Sequence, residues 1–151
     1  MSNRSALRQV MPAMFAHEGH WDGFYRHFSA DGDLLDQHRT TTWCELPDSG
    51  PWSYIQHNKL FWEDGRTAEY EFGGALVGDR LVWDTDRFSG TGWQSHENTI
   101  LLMLDRKDVP DSYYIELITL APDGQSRART WQWFLQGKAW KRTLCDEWRT
   151  G

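Results

Sequence analysis

Turn signals rich in glycine, proline and aspartate recur along the chain from His20 onward and divide it into short segments. Apolar and polar residues alternate within these segments, as in β-strands. The intervals leave no room for crossover helices, so neighbouring strands must run antiparallel. We predict strands at about 20–29, 34–46, 52–63, 66–72, 75–78, 80–88, 98–105, 113–120, 126–136 and 139–149.

A sheet of this kind has edges to hide, because no second helical layer covers it. Closing it into an up-and-down β-barrel of about eight to ten strands removes those edges. The last strand then pairs with the first. Residues 3–17 are the one predicted helix, since their apolar residues recur near a 3.6-residue period, and Pro12 predicts a kink or break within it. We expect a single domain over residues 1–151, with the barrel at about 20–149 and the helix against it.

Charge and cysteine content exclude several classes of function. The formal net charge is −6, and the basic residues are scattered, which disfavours nucleic acid and anionic membranes as partners. Cys44 and Cys145 lie outside any metal-ligand or disulfide pattern, as in a reduced cytoplasmic protein. We see neither an apolar signal segment nor a stretch approaching about 20 apolar residues, and we expect a cytoplasmic protein.

Ten of the 151 residues are tryptophan, and most lie on predicted strands among charged residues. The interior of such a barrel is small, so this composition favours a polar and aromatic pocket for a flat organic molecule. Alternation places Arg127, Arg129, Trp131 and Trp133 on one face of their strand. If that face points inward, Arg129 can clamp a carboxylate or phenolate between indole walls. The alternative is that the arginines cover outward-facing indoles at the surface.

Three side chains are candidates for acid and base chemistry. Asp84 lies in a segment with Trp83 and Arg87, just before a glycine-rich stretch where the strand can bend. Glu147 lies on the last strand, and His57 on the third. A carboxylate inside the barrel would have a raised pKa unless an arginine lowers it again. The competing interpretations are that Asp84 simply forms an ion pair with an arginine and that His57 is a solvated side chain outside the barrel.

We expect the remaining ligand contacts to come from aromatic side chains. The first strand brings Tyr25, Trp21 and His27 to one face, and its pairing with the last strand would let a tyrosine, a histidine and a carboxylate meet. The predicted ligand-binding residues are Tyr25, Trp21, Trp83, Arg87, Trp93, Trp131 and Trp133.

Metal and nucleophile motifs are weak. His17 and His20 lie close in sequence, and His57 or His96 could complete a metal site, but the spacing matches no known ligand signature, so we predict no metal. No GxSxG, GxGxxG or P-loop motif occurs, which disfavours nucleophilic and nucleotide-dependent chemistry.

Several segments resemble a known group of proteins. The opening hairpin Glu18–Asp36, the segment Trp83–Gly90 and the segment Arg129–Phe134 resemble uncharacterised bacterial lipocalin-like barrels that are related to the phycobilin lyases and, more distantly, to nitrobindin. The resemblance spans the whole chain. It implies an all-β, antiparallel, calycin/lipocalin-like barrel with an N-terminal helix closing one end, and an interior that takes open-chain tetrapyrroles, haem or other apolar ligands. No histidine follows His96, so the late strands cannot supply an axial ligand to haem.

The leading functional hypothesis is a barrel that binds an aromatic or conjugated molecule and acts on it as a cofactor-independent lyase or isomerase. Arg129 would hold the anion, and Asp84, Glu147 or His57 would move protons. A non-catalytic carrier of an apolar ligand such as a tetrapyrrole is the alternative, with haem or a bilin as the bound group. A barrel that pairs as a homodimer through exposed indoles is the third hypothesis.

Overall fold

The computed structural model describes all 151 residues and shows a closed barrel of ten antiparallel strands. The strands are β1 (Gly19–Ser29), β2 (Leu34–Glu45), β3 (Tyr54–Phe61), β4 (Thr67–Val77), β5 (Arg80–Asp84), β6 (Phe88–His96), β7 (Thr99–Arg106), β8 (Ser112–Leu120), β9 (Ser126–Leu135) and β10 (Lys138–Arg149). Each strand pairs with the next, and β10 pairs with β1, so no open sheet edge remains. The predicted all-β up-and-down barrel is confirmed.

The N-terminal helix closes one end of the barrel and is interrupted where proline was expected to interrupt it. Helix α1 covers Asn3–Val10, and a separate 3-10 helix covers Pro12–His17. The Ser2 side chain accepts a hydrogen bond from the Ser5 backbone N–H at the start of α1. Apolar side chains of both helices are buried in the core, which plugs the barrel at this end.

The middle of the barrel departs from the predicted strand boundaries. The segments predicted separately at 66–72 and 75–78 form one strand, β4. The segment predicted at 80–88 contains β5, a turn and only the first residue of β6. In that turn the Thr85 hydroxyl oxygen accepts hydrogen bonds from the backbone N–H groups of Arg87 and Phe88. The rest of β6, after Phe88, is not predicted from the sequence, because its glycines disfavour a strand in isolation.

Those glycines have a packing role. A Cβ atom at Gly92 would lie 2.8 Å from Cζ3 of Trp83, and one at Gly74 would lie 2.9 Å from the indole nitrogen of the same residue. Only strands without side chains at these positions can approach Trp83 so closely. The interior therefore divides into an apolar core near the helices, which includes Leu7, Met11 and Leu81, and a cavity toward the opposite end.

Candidate functional site

A cavity of 270 Å³ lies inside the barrel. Its aromatic walls are Tyr25, Tyr54, Tyr70, Phe72, Trp83, Phe88, Tyr114, Trp131 and Trp133. Its polar lining is His27, His38, Gln56, Asn58, Arg87, Arg106, Asp108, Glu116 and Arg129. Six side chains predicted to form the site, Arg129, Tyr25, Trp83, Arg87, Trp131 and Trp133, line this cavity. Of the two alternatives for this face of β9, inward or outward, the structure shows the inward one.

The inner wall carries a network of buried charges. Glu147 Oε1 lies 2.8 Å from Nε of Arg127 and 3.3 Å from Nη1 of Arg129. Nε of Arg129 also donates to Glu116 at 3.0 Å. Two guanidinium groups therefore face two carboxyl groups away from water, as burial of charge requires. Arg129 is not an unpaired anion clamp, because its Nε and Nη1 atoms already donate to Glu116 and Glu147.

The two carboxyl groups of this network have opposite pKa shifts. Burial raises the pKa of Glu116 above its ordinary value, against the opposing charge of Arg129. Burial also acts to raise the pKa of Glu147, but the charges of Arg127 and Arg129 outweigh it and hold that pKa at about 2. Glu147 is therefore ionised and poorly suited as a proton acceptor. Glu116, which lines the cavity, is the better proton-transfer group.

Positive charge also surrounds the mouth of the cavity, at the end opposite the helices. Arg106 is paired with Asp108 at 2.7 Å. The Arg87 guanidinium lies 3.9 Å from the centre of the Tyr70 ring, and the Lys141 ammonium lies 4.1 Å from the centre of a Trp133 ring, and neither forms a salt bridge. These two cations have charge available for an anionic ligand.

Two histidines at the mouth were not assigned to the site from the sequence. Nε2 of His27 lies 3.3 Å from Nε2 of His38, and the His38 ring stacks on Tyr25 with centroids 4.9 Å apart. Burial lowers the pKa of His27 to about 4, helped by the charge of Lys141, and burial also lowers the pKa of His38. Both rings are therefore neutral near pH 7. Alternation along β2 would have placed His38 inside, on the same face as the buried Thr40 and Thr42.

Three predicted site residues lie outside the barrel. Asp84 is 75% exposed and pairs with Lys107 at 2.6 Å. His57 lies 2.6 Å from a Glu45 oxygen on the outer surface. Trp93 is covered by the Arg80 guanidinium, 4.3 Å from the centre of its ring. These three side chains do not line the cavity, because each belongs to the outward alternation of its strand.

Two further predicted residues are inside the barrel but do not line the cavity. Glu147 is held in the arginine network described above. Trp21 is fully buried near the helices, where its indole N–H donates to the His17 carbonyl at 3.0 Å and Arg127 covers its ring. Both positions stabilise the barrel rather than form the cavity wall.

The histidines first considered as metal ligands are not gathered together. His17 is buried, and its Nδ1 accepts a hydrogen bond from Nη1 of Arg127 at 3.1 Å. His20 is exposed and stacks on Trp43, and His96 is exposed as well. His17 therefore shares no site with the others.

Comparison with solved structures identifies the fold. An S-type phycobiliprotein lyase from Guillardia theta aligns over 100% of this chain and 94% of its own, with 14% identity and a TM-score of 0.74. A protein of unknown function from the DUF3598 family of Nostoc punctiforme aligns over 91% of this chain with 17% identity and a TM-score of 0.69, and this chain spans 49% of its length. Rv2717c from M. tuberculosis aligns over 94% of this chain and 98% of its own, with 12% identity and a TM-score of 0.64.

Sequence comparison adds no family. No family model and no curated protein matches the chain. At these identities the structural similarity, including that to the phycobiliprotein lyase, establishes the barrel fold. The fold alone does not define the chemistry. Among the helices, none has the length and apolar character needed to cross a membrane.

Proposed function

We propose that the protein binds a compact, flat, conjugated molecule that carries an anionic group, inside the barrel. The observation that carries this proposal is the combination of aromatic walls with unpaired cations at the mouth of one cavity. Trp131 and Trp133 offer aromatic surface to a ligand, and Tyr25 supports Trp131 by stacking on it with ring centroids 5.3 Å apart. Arg87 and Lys141 offer charge. The ring system would enter the cavity, and the anion would stay at the mouth.

The size of the cavity favours a small ligand. Ligand pockets commonly measure about 300–1,000 Å³, and this one measures 270 Å³. A long open-chain tetrapyrrole would have to extend beyond the mouth. The likeness to a phycobiliprotein lyase supports a conjugated ligand as a class, and the cavity supports one of its more compact members. Haem and bilin remain alternatives within this proposal.

Arg129 would act on such a ligand through the aromatic wall. Its guanidinium carbon lies 4.9 Å from the centre of a Trp131 ring and 5.6 Å from that of the Tyr25 ring. A ligand stacked on Trp131 would therefore lie near the Arg129 guanidinium, whose Nε and Nη1 atoms donate to Glu116 and Glu147. We assign anion binding to Arg87 and polarisation of the wall to Arg129.

Two probes with the same aromatic frame test this binding mode. Anilinonaphthalene sulfonate is anionic, and phenylnaphthylamine is its uncharged counterpart; both report transfer to an apolar site by fluorescence. We expect both to bind the wild-type protein, the anionic probe more tightly. Arg87→Ala should weaken the anionic probe more than tenfold and leave the neutral probe nearly unchanged.

The control is Arg80→Ala, which removes an outer-surface arginine that covers Trp93. A bulky Ile118→Trp substitution in the cavity wall should reduce binding of both probes. Equal binding to wild type, Arg87→Ala and Ile118→Trp would place the probes elsewhere and contradict the proposal.

Proton transfer to the bound molecule is a second proposed function, in line with a lyase or isomerase. The specific observation is Glu116, a cavity-lining carboxyl group whose pKa is raised by burial. Glu116 would take the acid/base role first assigned to Asp84, Glu147 and His57. Product analysis by mass spectrometry and NMR after long incubation distinguishes the two functions, since a carrier returns its ligand intact. Turnover that is lost in Glu116→Gln while binding persists would support catalysis.

A further inference from the structure

We propose that His27, Asp36 and His38 form a binding site for a divalent first-row transition-metal ion, with Zn²⁺ as the occupant to test, at the mouth of the barrel. One ligand atom from each residue lies within 4.8 Å of the others. Two imidazole nitrogens and one carboxylate oxygen make a donor set that suits zinc and its neighbours in the first row. None of the three belongs to the arginine network of the inner wall.

The separation of the two imidazole nitrogens fits a shared ion. Nε2 of His27 lies 3.3 Å from Nε2 of His38. In a tetrahedral site with Zn–N bonds of about 2.0–2.1 Å, two ligand nitrogens lie about 3.3–3.4 Å apart. The two nitrogens thus already lie at the separation that coordination of one tetrahedral ion by both histidines requires.

Hydrogen bonds at the far side of each ring orient these nitrogens. Nδ1 of His38 lies 3.3 Å from the Arg39 carbonyl oxygen, which can only accept, so Nδ1 donates and Nε2 keeps its lone pair. Nδ1 of His27 lies 2.7 Å from the Thr143 hydroxyl, which itself accepts from the Trp133 indole N–H at 2.8 Å. Metal-binding histidines characteristically have such outer partners.

The hairpin explains why the three side chains meet. His27 and Asp36 are direct partners across β1 and β2, and His38 lies two residues beyond Asp36 on the same face. Both Asp36 oxygens accept from the Trp62 indole N–H, at 3.2 and 3.1 Å, which holds the carboxylate at the rim. Its negative charge favours a cation here and acts against the repulsion from the nearby Lys141 ammonium, with which it forms no salt bridge.

Three protein ligands leave one position of a tetrahedral ion for water or a bound molecule. His27 and His38 both line the cavity, so that position would be reached from it. The inference stands on the contacts of these residues and does not depend on the proposed organic ligand.

Isothermal titration calorimetry of the chelator-treated protein with zinc chloride tests the site. We expect one equivalent of zinc to bind to wild type. His38→Phe keeps an aromatic ring against Tyr25 but removes the nitrogen, and it should weaken binding at least 100-fold. Asp36→Asn, a change at the rim, should weaken it at least tenfold. Circular dichroism and melting temperature verify that the variants fold.

The matched control is His57→Phe on the outer surface. Both ring nitrogens of His57 face carboxylates, Glu45 at 2.6 Å and Glu71 at 3.1 Å, so this residue is the main competing place for a cation. Binding that persists in His57→Phe and is lost in His38→Phe supports the proposal. Loss in His57→Phe alone, or no stoichiometric binding to wild type, overturns it.

Cobalt substitution provides a second readout. Co²⁺ held by two imidazoles in a four-coordinate site should give a visible absorption band that hydrated Co²⁺ lacks at the same strength. Thr143→Val removes the hydroxyl that is the outer partner of His27 and the acceptor of the Trp133 indole N–H, but it leaves all three proposed metal ligands in place, so Thr143 is a positioning residue. It should lower zinc affinity about 10–100-fold and shift the cobalt band while keeping it. An unchanged affinity and spectrum in Thr143→Val would contradict this positioning role.

Discussion

Nε of Arg127 donates to Oε1 of Glu147 at 2.8 Å, with side chains 3% and 0% exposed. Removing one partner of such a pair leaves a buried charge without compensation, which costs about 3–5 kcal/mol. We predict that Glu147→Gln lowers the free energy of unfolding by about this amount, as measured by urea denaturation. The double variant Arg127→Met/Glu147→Leu should lose less than Glu147→Gln alone.

The control for this prediction is the exposed pair Arg66–Asp64, whose side chains are 65% and 57% exposed. Asp64→Asn should change the free energy of unfolding by less than about 1 kcal/mol. A loss of similar size in Asp64→Asn and Glu147→Gln would show that burial of the arginine network has no special energetic role.

We predict that the free energy of unfolding decreases as the pH is lowered below 7, and that His17 is one cause. Burial, with the charge of Arg127, lowers the pKa of His17 from 6.5 to about 3. The unfolded chain therefore takes up this proton first as the pH falls. The stabilising contribution is complete above pH 6.5 and is lost progressively between pH 6.5 and about 3.

Urea denaturation of His17→Gln at several pH values measures the contribution of His17 to the pH dependence of the unfolding free energy. The variant should have a shallower loss of unfolding free energy between pH 6.5 and 4, by up to about 1.4 kcal/mol per pH unit. A residual slope is expected, because the pKa values of His27 and His38 are also lowered. The exposed His20 is the control, and His20→Gln should keep the wild-type slope. Equal slopes in all three proteins would refute the assignment to His17.

The sequence predicted the barrel because its turn residues and alternation are local signals that each strand carries by itself. It also grouped Arg127 to Trp133 on one face of β9, since they alternate without interruption, but it did not decide that this face points inward. It failed at residues 80–96, where the Thr85 turn breaks one apparent strand into β5 and β6. That turn puts Phe88 inside while Asp84 remains outside, so face assignments that assume a continuous strand cannot hold.

The histidine pair illustrates a different limit, because the sequence pattern grouped His27 with Tyr25 but did not point to His38. His27, Asp36 and His38 are brought together by the pairing of β1 with β2, a long-range relationship that no local ligand spacing contains. The role of Arg129 was likewise out of reach, because the partner carboxyl groups Glu116 and Glu147 lie on strands β8 and β10. Such contacts follow from register rather than from local composition.

The close approach of β6 to Trp83 yields a packing prediction. A Cβ atom at Gly92 would lie 2.8 Å from Cζ3 and 2.9 Å from Cη2 of Trp83, and 3.3 Å from Cγ of Leu102. We expect Gly92→Ala to push this indole into the cavity and to lower the free energy of unfolding by about 1–3 kcal/mol. Tryptophan fluorescence and probe binding measure the displacement. The control is Thr91→Ala on the same strand, which should have little effect. Wild-type probe affinity in Gly92→Ala would contradict the prediction, because it would show that the strand accommodates the methyl group without moving Trp83.

The turn between β5 and β6 connects stability to ligand binding through Thr85. Its hydroxyl oxygen accepts from the N–H groups of Arg87 at 3.2 Å and Phe88 at 3.0 Å. Thr85→Ala removes these two hydrogen bonds and the one that the hydroxyl donates to the Phe88 carbonyl at 3.1 Å, and we expect a cost of about 1–2 kcal/mol in unfolding free energy. Because the turn positions Arg87, affinity for anilinonaphthalene sulfonate should fall several-fold while affinity for phenylnaphthylamine is retained. Thr85→Ser keeps the hydroxyl and should restore both properties. A variant that loses stability but binds the anionic probe as wild type would show that Arg87 is positioned by its contact with Tyr70 rather than by the turn.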